Sequence, residues 1–357
     1  MTKRPALTWE KFTLNLRNPF RLSYGVSETR EAYILRFTDE NEGVVGYGEG
    51  TIPPYYGVKP ADMIALWEIA AQRDDPLPEE VDQVETWVGL EGPAPARCAL
   101  ELALYDRIAR QRGLALWQLL ELPMPTPQPT SFTIAIDTPD EMARMATLRD
   151  TPVGDIARFP VLKIKLGGDG DDEARLAAIR AARPDARLRV DANAGWELDQ
   201  AREFVRRFEP YQLEMIEQPL ARQAINEMGL LQSQTSIPLV ADESVQTVED
   251  VRRLADAGVS GVNVKLMKLG GLTPALRLIN FARQRGLRVM LGCMVETSLG
   301  TTAMAHLMGL GEWFDLDAPM LVTNDPFDGI HYTREALVTL PNRVGIGAVE
   351  RPAGTLM

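Results

Sequence analysis

The chain reads VLKIK at residues 161–165, and the same pattern, an apolar run followed by charge, occurs four more times. The repeats are LRVDANAGW (188–196), EMIEQP (214–219), LVADES (239–244) and VNVKLMKLGG (262–271). The charged residues in question are Lys163, Asp191, Glu217, Asp242, Lys265 and then Asp315. They are separated by 28, 26, 25, 23 and 50 residues, and one strand-loop-helix unit of an eight-unit barrel has about this length. The spacing therefore predicts a parallel βα barrel with these charges on one rim.

Eight short apolar runs alternate with helix-like segments in the second part of the chain. The runs lie near residues 130–136, 161–166, 188–193, 213–217, 238–242, 261–266, 287–293 and 313–317. Helical periodicity appears between them, for example at 172–182, 247–257 and 273–285. Such alternation predicts a parallel sheet, here closed into a barrel. The predicted class is α/β, with a modified TIM barrel of the (β/α)7β type.

The first 124 residues predict a separate α+β domain. Strand-like runs at 9–16, 32–37 and 44–48 suggest an antiparallel meander, and helical periodicity follows at 61–72 and 94–112. A proline-rich stretch at 123–129 cannot continue either kind of element and is interpreted as the domain junction. The barrel is thus assigned to residues 125–320. The segment 321–357, with a strand-like run at 336–340, is expected to return to the first domain.

Composition excludes several classes of protein. With 357 residues, 45% of them hydrophobic, the chain can bury a large core. The formal charge of −12 argues against nucleic acid, whose phosphates demand a basic surface. The start of the sequence does not resemble a signal peptide, and the sequence has no run of about 18 apolar residues. These two features predict a cytoplasmic protein without a membrane segment. Cys98 and Cys293 are the two cysteines, so a disulfide framework is not expected.

The charged rim predicts a metal site. Lys163 and Lys165 are two apart on a strand, so both side chains point into the barrel mouth. Asp191, Glu217 and Asp242 end the next three strands, and three converging carboxylates repel one another unless a divalent cation lies among them. Oxygen ligands without cysteine or histidine suit Mg²⁺, or Mn²⁺ in its place.

Lys265 ends the sixth strand, which in a barrel lies opposite the second. Lys165 and Lys265 can therefore approach opposite faces of one bound carbon acid. Two bases on two faces indicate racemisation or epimerisation. Each lysine must be neutral to accept a proton, and a neighbouring lysine and a divalent ion are expected to lower its pKa by repulsion.

The order KxK, DANxGW, EQP, ADES, KxxKxGG and DxD resembles the enolase superfamily, in its muconate lactonizing subgroup, and most closely the dipeptide epimerases. The resemblance covers essentially the whole chain, including YGEG at 47–50, which lies in a domain that caps the barrel mouth with substrate-selecting loops in this superfamily. It implies one Mg²⁺ per active site, held by Asp191, Glu217 and Asp242. It also implies that Lys165 and Lys265 are the acid/base catalysts.

By the same resemblance, Lys163 helps to stabilise an enediolate, and the reaction is 1,1-proton transfer at the α-carbon of the C-terminal residue of a dipeptide. The DxD pair, Asp315 and Asp317, would hold the terminal ammonium group of this small-molecule substrate. Two carboxylates suit an ammonium group because charge-assisted hydrogen bonds are strong. Thr133, Cys293 and Glu296 are further assigned to substrate binding, and a homo-oligomer is expected.

The second side chain of the dipeptide is less constrained. In L-Ala-D/L-Glu epimerases an arginine after a Pro-Phe pair receives the glutamate, whereas here its counterpart falls at Tyr24 or Gly25, with Arg21 too early. Glutamate specificity is therefore not expected, and an apolar, aromatic or cationic residue becomes possible. The loop at 51–57, with two tyrosines, favours an apolar or aromatic one.

Alternatives share much of this machinery. A muconate cycloisomerase, an o-succinylbenzoate synthase or an N-succinylamino acid racemase of the same subgroup would use the same metal and lysines with a different substrate pocket. A non-catalytic Mg²⁺-dependent binding protein is a further alternative. It is disfavoured because binding alone does not need bases on both faces of the ligand.

Overall fold

The computed structural model describes residues 6–23, 25–39, 43–52, 54–167 and 170–352. Its N-terminal part is an antiparallel sheet with helices packed on one side. The sheet consists of the strands Ala6–Leu22, Gly25–Asp39 and Val44–Thr51, in that order. The helices are Pro60–Ala71, Val81–Val88, Ala94–Gln111 and Leu116–Leu119, with a 3₁₀ turn at Pro54–Tyr56.

The rest of the chain forms eight parallel strands, which are numbered here as barrel strands one to eight. They are Phe132–Ile134, Val161–Lys165, Arg187–Asp191, Leu213–Glu217, Leu239–Ala241, Gly261–Val264, Arg288–Gly292 and Trp313–Asp315. Each pairs with the next in sequence order. Ser131 N–H donates to the Phe314 carbonyl at 3.1 Å, which brings strand eight beside strand one. The predicted (β/α)7β barrel is confirmed.

Helices follow the barrel strands. They are Pro139–Ala146, Asp172–Ala182, Leu198–Arg207, Ile225–Gln232, Val248–Ala257, Leu266–Leu269, Leu272–Gln284, Ser298–Ala305 and Ala318–Leu321, with 3₁₀ turns at Ile156–Arg158, Glu209–Tyr211 and Met308–Leu310. Short strands at Gln128–Pro129, Phe327–Asp328, His331–Tyr332, Leu337–Thr339 and Val349–Glu350 complete the chain. Among the described residues, no helix combines the length and apolar character that crossing a bilayer requires.

The helix Ala94–Gln111 joins the N-terminal sheet to the barrel. Its residues from Pro95 to Ala109 are buried apart from the half-buried Arg97, so the helix is covered on nearly all sides. It lies against the strand Val44–Thr51 so closely that a Cβ at Gly48 would be 1.9 Å from the Ala99 carbonyl oxygen. Gly46 and Gly48 thus allow the backbones of the strand and the helix to meet, and this contact fixes the sheet over the barrel.

The hairpin of the first two strands is longer than the sequence predicted. The sequence predicted strand-like runs at 9–16 and 32–37, yet Phe20 pairs with Ser27, and Leu22 pairs with Gly25. A register shift between Asn15 and Phe20 absorbs the proline at position 19, which cannot donate to the ladder. Near the end of this hairpin, Ser23 Oγ donates to the Asn193 carbonyl at 2.6 Å, which brings the hairpin to the barrel mouth.

The C-terminal segment contacts the N-terminal part of the molecule at several points. Leu16 forms a β-bridge with Val322, and Ala115 forms one with Gly345. Arg36 on the N-terminal sheet pairs with Glu350. The division into residues 1–124, 125–320 and 321–357 remains a prediction.

His306 is a buried link between the barrel and this C-terminal segment. Its Nδ1 accepts from Trp117 N–H at 3.2 Å, and its Nε2 lies 2.9 Å from the Ile346 carbonyl, to which it donates. A proton on Nδ1 would face a donor, and burial lowers the pKa of His306 from 6.5 to about 4. Histidine here is structural and neutral.

His306 should make stability depend on pH. Because its folded pKa lies below its unfolded value, the unfolded chain binds more protons between about pH 6.5 and 4, so stability falls as pH falls through that window. We expect a loss of about 2–3 kcal/mol from this residue between pH 7 and pH 4.5. Urea unfolding of the wild type and His306→Gln at both pH values measures it. The glutamine can keep both hydrogen bonds without titrating, and an equal pH dependence in both proteins would contradict the assignment.

Candidate active site

Three predicted site residues lie in one row across neighbouring barrel strands. Lys165 is paired in register with Asp191, which in turn is paired with Glu217. Parallel pairing puts their side chains on the same side of the sheet at its carboxyl end. All three are buried, and Lys165 Nζ lies 2.7 Å from Asp191 Oδ2. The repeat spacing in the sequence therefore predicted this row correctly.

Lys163 lies at the centre of the carboxylates. Its Nζ is 3.0 Å from Asp191 Oδ2, 2.8 Å from Glu217 Oε2 and 2.7 Å from Asp315 Oδ2. Burial lowers its pKa, but attraction by these carboxylates outweighs burial and raises the pKa well above the ordinary value. Lys163 is therefore a permanent positive charge in this arrangement.

Asp242 at the end of barrel strand five is held by two lysines. Lys265 Nζ lies 2.7 Å from its Oδ2, and Lys268 Nζ lies 2.7 Å from its Oδ1. Lys268 also donates to the backbone carbonyls of Asp242 and Asn263. Lys268 thus has a structural role at the barrel rim.

The pKa of Lys265 differs from the sequence expectation. Burial lowers it, but attraction by Asp242 and nearby carboxylates raises it above the ordinary value despite repulsion by Lys163. Repulsion between lysines was expected to lower it. The pKa of Lys265 instead rises, because Asp242 Oδ2 lies 2.7 Å from its ammonium group and attracts it more strongly than Lys163 repels it.

The carboxylates differ from one another in proton affinity. Burial raises the pKa of Glu217 to about 7, and repulsion by Asp191 adds to this effect. Burial acts on Asp191 and Asp242 in the same direction, but their lysine partners lower both pKa values overall. Glu217 Oε2 is buried and receives no well-oriented hydrogen bond, although Lys163 is near. Lys163 therefore compensates the charge of Glu217 only in part, because it is shared with Asp191 and Asp315.

The chemistry of these donors fits a hard divalent cation. Oxygen ligands from carboxylates suit Mg²⁺, and a cation would also stabilise the charged form of Glu217. In the described part of the chain, no three Asp, Glu, His or Cys side chains converge as they stand on a single point, since ammonium groups lie between the carboxylates. Ligation would therefore require the acidic side chains to turn away from the lysines.

The two aspartates of the DxD pair have different partners. Asp315 accepts from Lys163 and from Ser131 Oγ at 2.6 Å, and Lys163 lowers its pKa against the effect of burial. Asp317 accepts from Thr133 N–H at 2.7 Å. Burial raises the pKa of Asp317 to about 7, with repulsion by Asp315 as the second cause. An ammonium group beside Asp317 would relieve both penalties.

A cavity connects these groups at the barrel mouth. It is lined by the three lysines Lys163, Lys165 and Lys265, and by the DxD pair, Asp242, Thr133 and Cys293. The hairpin end contributes Phe20, whose ring centroid lies 5.8 Å from Lys165 Nζ. The loop after the N-terminal sheet contributes Tyr55 and Tyr56. Residues from both parts of the molecule therefore line one cavity, whereas Asp191 and Glu217 are not among its lining residues.

Asn193 and Glu243 are among the lining residues that the sequence analysis missed. Asn193 Nδ2 donates to Glu243 Oε1 at 3.2 Å. Asn193 has a φ of 43°, and this left-handed turn carries it back over the end of strand three. Their signal was present, since each stands within two positions of a predicted metal ligand in DAN and ADES.

Three predicted substrate residues are placed differently from the rest. Glu296 is buried and does not line the cavity; burial and repulsion by Glu49 raise its pKa well above the ordinary value. Gly25 pairs with Leu22 at the hairpin end and also lies outside the lining. Tyr24 lies outside the described residues. Their assignment to substrate binding remains a prediction.

Glu49, the acidic residue of YGEG, connects the N-terminal sheet to the barrel mouth. It is fully buried and accepts from Thr297 N–H at 2.9 Å, Thr297 Oγ1 at 2.6 Å and Gly300 N–H at 3.0 Å. Thr51 Oγ1 donates to it at 2.8 Å. A carboxylate from one part of the molecule therefore caps the helix Ser298–Ala305 of the other.

Replacing Glu49 with Ala should destabilise the protein. Buried N–H groups of Thr297 and Gly300 would lose their acceptor, and we expect the free energy of unfolding to fall by about 2–4 kcal/mol. Thermal and urea unfolding measure this loss. Glu91→Ala, at an exposed position of the same part of the chain, is the matched control and should change stability little. An equally small change in both variants would contradict the capping role.

The chain is similar to known proteins along nearly all of its length. Residues 7–121 match the model "Mandelate racemase / muconate lactonizing enzyme, N-terminal domain", and residues 141–353 match "Enolase C-terminal domain-like". An L-Ala-D/L-Glu epimerase of Bacteroides thetaiotaomicron is 31% identical over 96% of this chain and 88% of its own. A hydrophobic dipeptide epimerase of Roseobacter litoralis is 34% identical, covering 94% and 96%.

A solved structure has the same fold. The dipeptide epimerase of Cytophaga hutchinsonii, complexed with Mg and the dipeptide D-Ala-L-Val, superimposes with a TM-score of 0.89. It is 28% identical, and the match covers 98% of this chain and 97% of that one.

Proposed function

Because the chain belongs to the mandelate racemase/muconate lactonizing enzyme family of the enolase superfamily, we propose that it is a Mg²⁺-dependent dipeptide epimerase. It would invert the α-carbon of the C-terminal residue of a dipeptide by 1,1-proton transfer. The observation that carries the proposal is one cavity lined by Lys165 and Lys265 from opposite barrel strands and by the DxD carboxylates.

Asp191, Glu217 and Asp242 would hold the Mg²⁺. When bound, the ion supplies positive charge for the substrate carboxylate, onto which negative charge moves as the α-proton leaves. The position of Glu217 supports this assignment, because burial and repulsion by Asp191 raise its pKa and a divalent cation would favour its charged form.

The three lysines would have two different roles, charge stabilisation and proton transfer. Lys163, held between Asp191, Glu217 and Asp315, would keep a fixed positive charge beside the substrate carboxylate. Lys165 and Lys265 would exchange protons with the two faces of the α-carbon, one as base and the other as acid. The ion pair with Asp242 makes Lys265 hold its proton tightly. To act as a base, Lys265 must therefore break this ion pair.

Asp315 and Asp317 would select the substrate. A free ammonium group next to Asp317 neutralises a buried carboxylate, whereas an N-acylated substrate leaves it unpaired. This is the reason for preferring a dipeptide over a succinylated amino acid or a muconate.

Solvent deuterium incorporation tests the proposed reaction. L,L-dipeptides with acidic, apolar, aromatic and cationic second residues are incubated with the enzyme and Mg²⁺ in D₂O, and a one-unit mass gain is read by mass spectrometry. Gain in particular dipeptides supports epimerisation and identifies the second side chain. No gain in any dipeptide, with deuterium entering an N-succinylamino acid instead, would overturn the dipeptide assignment.

Asp317→Asn should lower kcat/KM for dipeptides selectively. Removal of the charge is expected to lower kcat/KM for dipeptides by about 10- to 100-fold, because a buried charge-assisted hydrogen bond is lost. Steady-state kinetics with a dipeptide and its N-acetyl derivative measure the effect, and any residual activity on the acetylated form should change little. Asp328→Asn, outside the cavity, serves as the control. Equal losses on both substrates would point to a structural role for Asp317.

The proposal includes a homo-oligomeric enzyme in the cytoplasm, as the sequence predicted. Light scattering after size-exclusion chromatography measures the oligomeric state. A monomer with full activity would contradict the first part.

A further inference from the structure

A second cavity lies beside the active site. Its volume is about 410 Å³, and it is bounded by the hairpin end, the helix Pro139–Ala146 with the loop after it, and the segment that follows barrel strand eight. Phe20, Thr133 and Leu321 line both this cavity and the active site. The two spaces therefore adjoin at the end of barrel strand one.

The place where the two cavities adjoin lies next to the proposed ammonium site. Thr133 N–H donates to Asp317 Oδ2 at 2.7 Å, and Leu321 lies four positions after Asp317. An ammonium group on the DxD pair would belong to the first residue of the dipeptide, whose α-carbon is one bond away. The side chain of that first residue would then lie beside Thr133, where the second cavity begins.

The walls of the second cavity are mostly apolar. Met145, Leu148, Val153 and Ile156 line one side, and Phe132 lies at the base. Among the described residues that line it, none is an aspartate or a glutamate. Such a surface favours a large apolar group, since binding removes apolar area from water on both partners.

We propose that this cavity binds the side chain of the substrate's first residue, and that this side chain is large and apolar, as in leucine or phenylalanine. The inference rests on the proposed function, because the DxD pair must hold the ammonium group of a dipeptide. It goes further by assigning a preference at the residue that does not react. An alanine in this position would leave most of the space unused.

Arg17 suggests a competing occupant of the second cavity, namely a side chain that carries a carboxylate. Arg17 Nε donates to the Met320 carbonyl at 3.0 Å, while its buried Nη2 has no hydrogen-bond partner in the described part of the chain. A carboxylate on the first residue could accept from Nη2. The other lining arginine, Arg144, is already bound to Glu141, so most oxygen lone pairs of such a carboxylate would face apolar walls. The apolar occupant is therefore favoured.

A matched series of dipeptides tests the inference. The first residue is alanine, leucine, phenylalanine or glutamate, the second is held constant, and kcat/KM for deuterium incorporation is compared. We expect leucine or phenylalanine to exceed alanine by about 10- to 100-fold. Equal values for alanine and leucine would overturn the inference and leave the proposed function intact.

Two other results would also overturn it. A preference for glutamate would assign the cavity to a carboxylate bound by Arg17. Deuterium incorporation into none of the four dipeptides, nor into dipeptides with other second residues, would overturn the proposed function and this inference together.

A variant that fills the second cavity tests whether the side chain of the first residue binds there. Val153→Trp should lower the leucine-to-alanine ratio of kcat/KM toward 1, and the smaller Val153→Leu should give an intermediate ratio even if the tryptophan variant folds poorly. Val344→Trp, at an exposed site outside the cavity, should leave the ratio unchanged. An unchanged ratio in both folded Val153 variants would place the first side chain elsewhere.

Discussion

Replacing Lys265 with Ala is expected to abolish interconversion of the two dipeptide epimers, with kcat lowered by about 10²- to 10⁴-fold. The physical reason is that one face of the α-carbon loses the group that delivers or removes its proton. Lys165 remains on the other face, so the variant should still exchange the α-proton of one epimer with solvent. Proton NMR in D₂O, started separately from each epimer, distinguishes exchange from inversion.

The matched variant is Lys165→Ala, which should retain exchange from the opposite epimer. Lys11→Ala removes a surface lysine whose partner is Glu31 and should keep full activity. Retention of exchange from the same epimer in both active-site variants would contradict the placement of the lysines on two faces. So would full inversion by Lys265→Ala.

Removal of the divalent cation is expected to lower activity about 10³-fold, and Glu217→Gln should have a similar effect at ordinary Mg²⁺ concentrations. The carboxamide keeps an oxygen that can accept from Asn263 Nδ2, which donates to Glu217 at 2.7 Å, so the fold should be maintained. It lacks the charge that a hard cation requires. Activity is measured after chelation with EDTA and again after Mg²⁺ is restored.

Thermal unfolding with and without Mg²⁺ separates binding from catalysis. A cation that binds the folded wild type raises its Tm, and Glu217→Gln should lose most of that increase. The control is Glu214→Gln on the same barrel strand, because Glu214 pairs with Arg187 and Arg189 away from the cavity. Full activity of the wild type in EDTA would exclude a required cation.

Some features of the site followed from chain position alone. Asp191 and Glu217 end neighbouring strands, and parallel pairing places strand ends side by side, so their convergence needed only the repeat spacing. The difference in their pKa values did not. It arises because Lys163 and Lys165 both act on Asp191, while Asp191 itself repels Glu217.

The linking role of Glu49 also depended on the folded structure. Its partners Thr297 and Gly300 are about 250 residues away in sequence, and no local pattern reports such a contact. The same holds for the second cavity, whose walls come from the hairpin end, barrel strand one and the segment after strand eight. Residue spacing carries no information on the space left between distant elements.

The sequence by itself determined the barrel, the order of its strands and the charged groups at its mouth, because local periodicity and regular repeat length fix those features. Tertiary structure alone decided which lysine pairs with which carboxylate, how tightly Lys265 holds its proton, and how much space lies beside Asp317. These properties depend on distances and burial between residues far apart in the chain, and electrostatic energies and cavity shape change steeply with such distances.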